Sequence, residues 1–209
     1  MLNMQIGYGM KPTNKPMKRL SLYLFLILFT LQTPSQADDI RDFQIEGISI
    51  GDSLLDYFSI EQIKSSKQNL QYPKDKFIVY QLGALKSLDI YDLLNVSVKK
   101  NSKKYIVSHI QGGITYSNAK EFTKCNLQKK QIIEELDVLF KNLKRRDQKY
   151  KSSHDNKSLI EGTEFYFDSG NVIAINCNDW IKETGLSKIL DVAVATEEFL
   201  FFITKEAYK

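Results

Sequence analysis

Ile90-Tyr-Asp-Leu-Leu-Asn-Val-Ser-Val98, then Lys99-Lys-Asn-Ser-Lys-Lys104, then Tyr105-Ile-Val-Ser-His-Ile110 is the stretch that decides the fold. Asp92, Leu94, Val96 and Val98 fall on one side of the first arm, and the second arm alternates in the same way. A period of two marks a half-buried strand, and two such arms joined by a short polar link read as an antiparallel pair. Upstream, residues 77–82 supply another strand, closed by Gly83 and a turn at 86–89. Downstream, Gly112-Gly113 offers a bulge before a strand over 114–116. The middle of the chain is therefore expected to be an antiparallel meander.

Helical signals flank the meander. Phe43 and Ile45 alternate with Gln44 and Glu46, which suggests a short first strand. Ser49 and Asp52 have the spacing of a helix N-terminus, after which Leu54, Leu55 and Phe58 share one helical face. Ser59 and Gln62 repeat the signal as a capping box for a second short helix. Residues 125–146 carry the clearest helical pattern. Ile132, Ile133, Leu136, Leu139, Phe140 and Leu143 make one apolar stripe, Asp137 and Lys141 are spaced as an ion pair, and Lys144, Arg145 and Arg146 stand at the carbonyl end. Residues 149–158 read as a polar loop. Segments 164–167 and 172–177 flank the hairpin turn Asp168-Ser-Gly-Asn171, and 189–195 is a further strand. Thr196 caps a closing helix that buries Phe199, Phe202 and Ile203; a strand across 199–203 is the alternative.

These readings give an α+β fold: an antiparallel β-meander packed by N-terminal short helices and one long central helix. It forms a single domain over 38–209, with 43–118 and 122–209 as two candidate similar halves. Ahead of it, Lys18 and Arg19 precede an apolar run over 20–31, a break at Pro34, and small residues at Ser35 and Ala37. That is the layout of a secretory signal peptide cleaved after Ala37. A membrane-spanning helix needs about 20 apolar residues, so the run is short for an anchor. A membrane-tethered protein with an uncleaved leader is the alternative. Residues 1–16 are either a long positive n-region or upstream of a true start at Met17. The expected product is periplasmic or secreted, with no stable membrane insertion after cleavage.

Removing the leader alters the charge balance. The chain holds 29 Lys and Arg against 25 Asp and Glu. Residues 1–37 contribute Lys11, Lys15, Lys18 and Arg19 and no acid, so the remainder is neutral. Nucleic-acid binding needs a basic surface that neutralises several phosphates, and this composition does not supply one. Cys125 and Cys177 are the two cysteines. In an oxidising compartment an even pair reads as a disulfide. With His109 and His154 as the chain's two histidines, a metal centre has too few closely spaced ligands, and no cofactor is expected.

Gly47-Ile-Ser-Ile-Gly51 matches the nucleophile elbow of α/β-hydrolases, which would make Ser49 a nucleophile with His109 or His154 as its base. A helix cap explains Ser49 without chemistry, and the motif comes too early for the parallel strands that such an elbow requires. His109 fits a half-buried packing position on a strand, and His154 a solvated loop. Lys99 to Lys104 and residues 141–151 are basic clusters that suit turns or an anionic partner. Trp180 offers either a lid on the core beside the disulfide or an anchor for a partner.

Over Gln44-Ile-Glu-Gly-Ile-Ser-Ile-Gly-Asp-Ser-Leu-Leu-Asp-Tyr-Phe-Ser59, the Tyr-Asp-x-Leu strand, the Cys125 helix and Thr196-x-Glu198-Phe199, the chain resembles a family of small, uncharacterised exported proteins of marine alphaproteobacteria. More distantly, Gly47-Ile-Ser49 opening a helix pair before a meander resembles the folds of outer-membrane assembly lipoproteins and β-lactamase-inhibitor proteins. The first likeness implies no activity; the second implies a non-enzymatic protein that acts by surface contact, here with a protein or envelope component.

Overall fold

The computed structural model describes residues 40–69, 72–141 and 143–208, so the expected leader and signal peptide over 1–37 lie outside the described residues. The fold is α+β, built on a seven-stranded antiparallel sheet with the spatial order β1-β2-β3-β7-β6-β5-β4. Strands β1 (Phe77–Gln81), β2 (Leu93–Lys99) and β3 (Val107–Tyr116) form a first meander. From β3, in the middle of the sheet, the chain passes through α2 (Ala119–Phe122) and the long α3 (Cys125–Leu139) and re-enters at the far edge as β4 (Lys144–Lys151). Strands β5 (Leu159–Tyr166), β6 (Val172–Asp179) and β7 (Lys188–Ala195) then step back until β7 pairs with β3, from His109 opposite Ala195 to Tyr116 opposite Lys188. The segment 43–118 thus supplies three strands and 122–209 four.

Alternation along each strand separates two faces. Val96, Val98, Val107, Ile110, Ile173, Ile175, Val192 and Val194 point to the face covered by α3 and the N-terminal segment. There Ile133 and Leu136 of α3 share a core with Ile48, Ile50 and Leu54. Cys125 opens α3 and is bonded to Cys177 of β6 (Cα–Cα 5.9 Å, 52 residues apart), fastening the helix to the sheet. On the opposite face, a closing helix α4 (Glu197–Phe201), extended by a wider turn over Phe202–Glu206, lays Phe199, Phe202 and Ile203 on Phe77, Val79 and Ala195. Thr196 caps it by accepting from the N–H of Phe199 at 3.2 Å. The helix prevails over the rival strand because three apolar side chains at helical spacing cover one apolar patch.

The capping box at Ser59 is formed and opens α1 (Ile60–Ser65). Four local expectations are corrected. Residues 43–46 form no strand; Ile45 and Ile48 bridge each other across a tight turn with positive φ at Glu46 and Gly47, and the Glu46 carboxylate accepts from the N–H groups of Asp89, Ile90 and Tyr91. Ser49 caps no helix. The N-terminal cap belongs to Ser53, ahead of a single 3-10 turn over Leu54–Asp56, and Leu55 is exposed there. Gly112 and Gly113 are not a bulge but run on in register between β2 and β7; a Cβ at Gly112 would lie 2.8 Å from the Tyr91 ring, which packs against that backbone. Finally, α3 ends at Leu139, because Phe140 turns to extended backbone and buries its ring against Phe167 at 5.1 Å. Lys144, Arg145 and Arg146 therefore belong to strand β4, which continues through part of the expected loop.

Closing a 52-residue loop stabilises the native state by about 4 kcal/mol on the chain-entropy account. Reducing the bond, or combining Cys125→Ser with Cys177→Ser, is expected to lower the melting midpoint by roughly 8–16 °C in a circular-dichroism scan. A drop of under about 2 °C contradicts the clamp.

Candidate functional site

The residues singled out by the elbow motif are not brought together. The Ser49 hydroxyl is buried and donates to the carbonyl of Arg41 at 2.9 Å, while its N–H donates to the Asp52 carboxylate at 2.8 Å. Neither imidazole is a hydrogen-bond partner of Ser49. His109 is fully buried rather than half-buried and lies on the other face of the sheet, stacked on Phe199 at 4.5 Å. His154 is exposed in the β4–β5 turn, its N–H donating to Ser152 Oγ. Trp180 is 8 % exposed and packs with Leu93, Ile160 and Ile189 on the face away from Cys177. It is a lid on the core, remote from the disulfide and not an accessible anchor.

The face that carries His109 holds a feature the sequence reading missed. Between the apolar patches under α4 and Trp180 runs a band of buried polar side chains: Asn95, Ser97, His109, Gln111, Asp191 and Asn176. Strand register places them side by side, Asn95 opposite Gln111, Ser97 opposite His109, and Asn176 opposite Asp191. The polar positions of the period-two pattern read as a solvent-facing side, yet here they are enclosed. Burial of a polar group is tolerated when it is hydrogen-bonded. Gln111 Nε2 donates to Asp191 Oδ1 at 2.6 Å, and the amides of Asn176 and Asn178 also bond that carboxyl. Gly162 makes room for this arrangement, since a Cβ there would lie 2.2 Å from Asn176 Oδ1.

Desolvation sets the protonation of the band. It raises the Asp191 carboxyl to about 6 against the pull of three amides, and lowers the His109 imidazole to about 3. The two groups oppose each other in stability. Below its raised pKa, Asp191 stays neutral in the native state while its unfolded counterpart ionises above about 4, so its contribution falls as pH rises through 6. His109 is neutral when native but protonated when unfolded below about 6.5, so its contribution falls as pH drops toward 3. Between pH 4 and 6 the two slopes offset. The band is thus a buried polar network whose imidazole is neutral and whose carboxyl loses its proton as pH rises through about 6.

The accessible site lies at the other end of the sheet. Strand β4 is an edge, and its outer side has no backbone partner among the described residues. The opposite edge is closed: Gln68 N–H donates to the carbonyl of Val79 and Gln81 N–H to that of Ser66, both at 2.9 Å. Between β4, β5 and α3 opens a cleft of about 670 Å³ lined by Lys129, Lys130, Asp137, Arg145, Asp147 and Glu161, among others. Arg145 reaches both Asp147 (3.1 Å) and Asp137 (3.5 Å), and Lys149 pairs with Glu161. The hydroxyl of Thr163 donates to Asp147 at 2.6 Å and, as the largest influence, holds that carboxyl below the usual range. Burial lowers the Lys129 ammonium, which donates to the carbonyl of Glu161 at 3.2 Å. Beside the cleft, Leu127 and Val138 project from α3, the latter 77 % exposed. The cleft thus holds internally paired charges beside an open strand edge.

Among the described residues no cluster of His, Cys, Asp or Glu is able to hold a metal ion, and no helix is long and apolar enough to cross a membrane. Comparison with protein-family models, curated proteins and solved structures returns no match. Asp191→Asn is expected to expose the His109 contribution, so that stability rises with pH between 4 and 6 by about 1 kcal/mol per pH unit more than in the unsubstituted protein. Chemical denaturation at several pH values measures it, and parallel profiles contradict the assignment.

Proposed function

We propose that this chain is an exported, disulfide-closed protein of the bacterial envelope that works by binding a partner, with no chemistry of its own. The observation that carries the reading is the open β4 edge beside the charged cleft, the part of the described surface where backbone and charged groups together remain accessible. The Cys125–Cys177 bond supports export, since such bonds persist in oxidising compartments. The pattern of Lys18 and Arg19 before an apolar run and Ala37 supports the same compartment. Ser49 is given no catalytic role, because its hydroxyl is held by backbone carbonyls of the N-terminal segment.

Expression of the full chain in a Gram-negative host, followed by osmotic release and intact-mass measurement, tests the compartment. The expected species begins at Asp38 and is two hydrogens lighter than its reduced form. A full-length, reduced, cytosolic species contradicts the proposal.

A further inference from the structure

The free edge of β4 has chemistry specific enough to say what it receives. Its eight residues, Lys144-Arg-Arg-Asp-Gln-Lys-Tyr-Lys151, include five cations and one acid. Arg145 and Lys149 are answered by Asp137, Asp147 and Glu161 within the molecule. Lys144 and Lys151, at the two ends, make no ion pair among the described residues, and both are exposed. The strand therefore offers a row of backbone donors and acceptors bordered by uncompensated positive charge. A second β-strand satisfies such a row, and acidic side chains on that strand satisfy the charge.

A second copy of this chain is disfavoured as the occupant. Two β4 strands paired antiparallel about Asp147 would set Arg145 against Lys149 and Asp147 against its own copy, and like charges directly opposite each other repel. Cationic edges prevent sheets from joining to themselves for this reason. The same charges become attractive toward an anionic strand, which gives the edge selectivity as well as protection. The opposite edge is taken by the backbone of residues 66–68, so addition is directed to one end of the sheet.

We propose that β4 receives an extended acidic segment of a partner polypeptide as an eighth antiparallel strand, over the eight residues Lys144–Lys151. This rests on the binding role proposed above and names the partner's chemistry. Charge attracts the segment, and the backbone ladder fixes its register. Glu and Asp side chains lie opposite Lys144 and Lys151, and apolar side chains of the segment reach Val138 beside the cleft.

The test uses the mature disulfide-bonded protein and a peptide of about ten residues that carries Glu at both ends of the paired stretch, opposite Lys144 and Lys151 on the two faces of the sheet, with Val and Glu between. Two further versions are N-methylated, one at the odd and one at the even positions. Saturable binding is expected, with new protection of β4 amides in hydrogen exchange and a loss of roughly tenfold in affinity between 50 and 500 mM NaCl. One N-methylated peptide should fail and the other bind, since an added strand presents the donors of one edge only. Lys144→Glu with Lys151→Glu should weaken binding at least about tenfold while leaving the melting midpoint in place. Equal binding of both N-methylated peptides overturns the inference, as does binding only to phosphatidylglycerol vesicles or a self-association that involves β4. No peptide binding by protein that begins at Asp38 and carries its disulfide overturns the edge assignment alone. A cytosolic, unprocessed chain overturns the envelope role whatever the peptide does.

Discussion

The eight-residue ladder between β3 and β7 is the constraint on which the rest depends. These strands are 72 residues apart in sequence from Tyr116 to Lys188, and their pairing merges two meanders into one sheet. Closing so long a loop is entropically costly, and two features offset it. Cys125–Cys177 shortens the effective path by tying the connecting helix to the neighbour of β7. Val194 then lies beside its ladder partner Ile110, with Val192 two residues along on the same face, and all three are fully buried. Placing the join in the middle leaves the two outermost strands, β1 and β4, with different fates.

That difference organises the surface. Strand β1 receives the backbone of residues 66–68, whereas β4 arrives after the long α3 connection with nothing beyond it among the described residues. The buried polar band has the opposite character. The amides of Gln111 and Asn176 bond the Asp191 carboxyl inside, where a register slip of one residue would point them into the apolar core beneath α3. Polar chemistry at the sheet centre thus serves specificity of folding, and polar chemistry at its edge remains exposed.

Much of the architecture was legible in the sequence, for physical reasons that also explain the misses. β2 and β3 declared themselves because one face is apolar and the other polar, and Ser59-Ile-Glu-Gln62 declared α1 because a capping box is a local interaction. The cysteine pair was legible from parity and compartment. Strand β4 was not, because an edge strand held by its ladder to β5 requires no apolar side, and Lys144-Arg-Arg146 imitates a helix terminus. Ser49 misled because Ser-x-x-Asp spacing fits a cap and equally a four-residue turn closed from Asp52 N–H to the Ser49 carbonyl, and the hydroxyl's distant acceptors at Arg41 and Phe43 leave no local signature. Alternation likewise cannot distinguish a polar face in water from one covered by α4 and Trp180, so the band around Asp191 was invisible. What the sequence could show of the proposed site was its charge at 141–151, and not that a strand carried it.

Native-state hydrogen exchange on the isolated, oxidised protein tests the central claim most directly. One continuous sheet with a covered edge and an open edge predicts that the amides of β3 and β7 exchange last, through the same global opening. Outward amides of β4 should exchange fastest of any strand. Separate exchange of the two meanders, or protection at β4 equal to that at β7, would contradict the account.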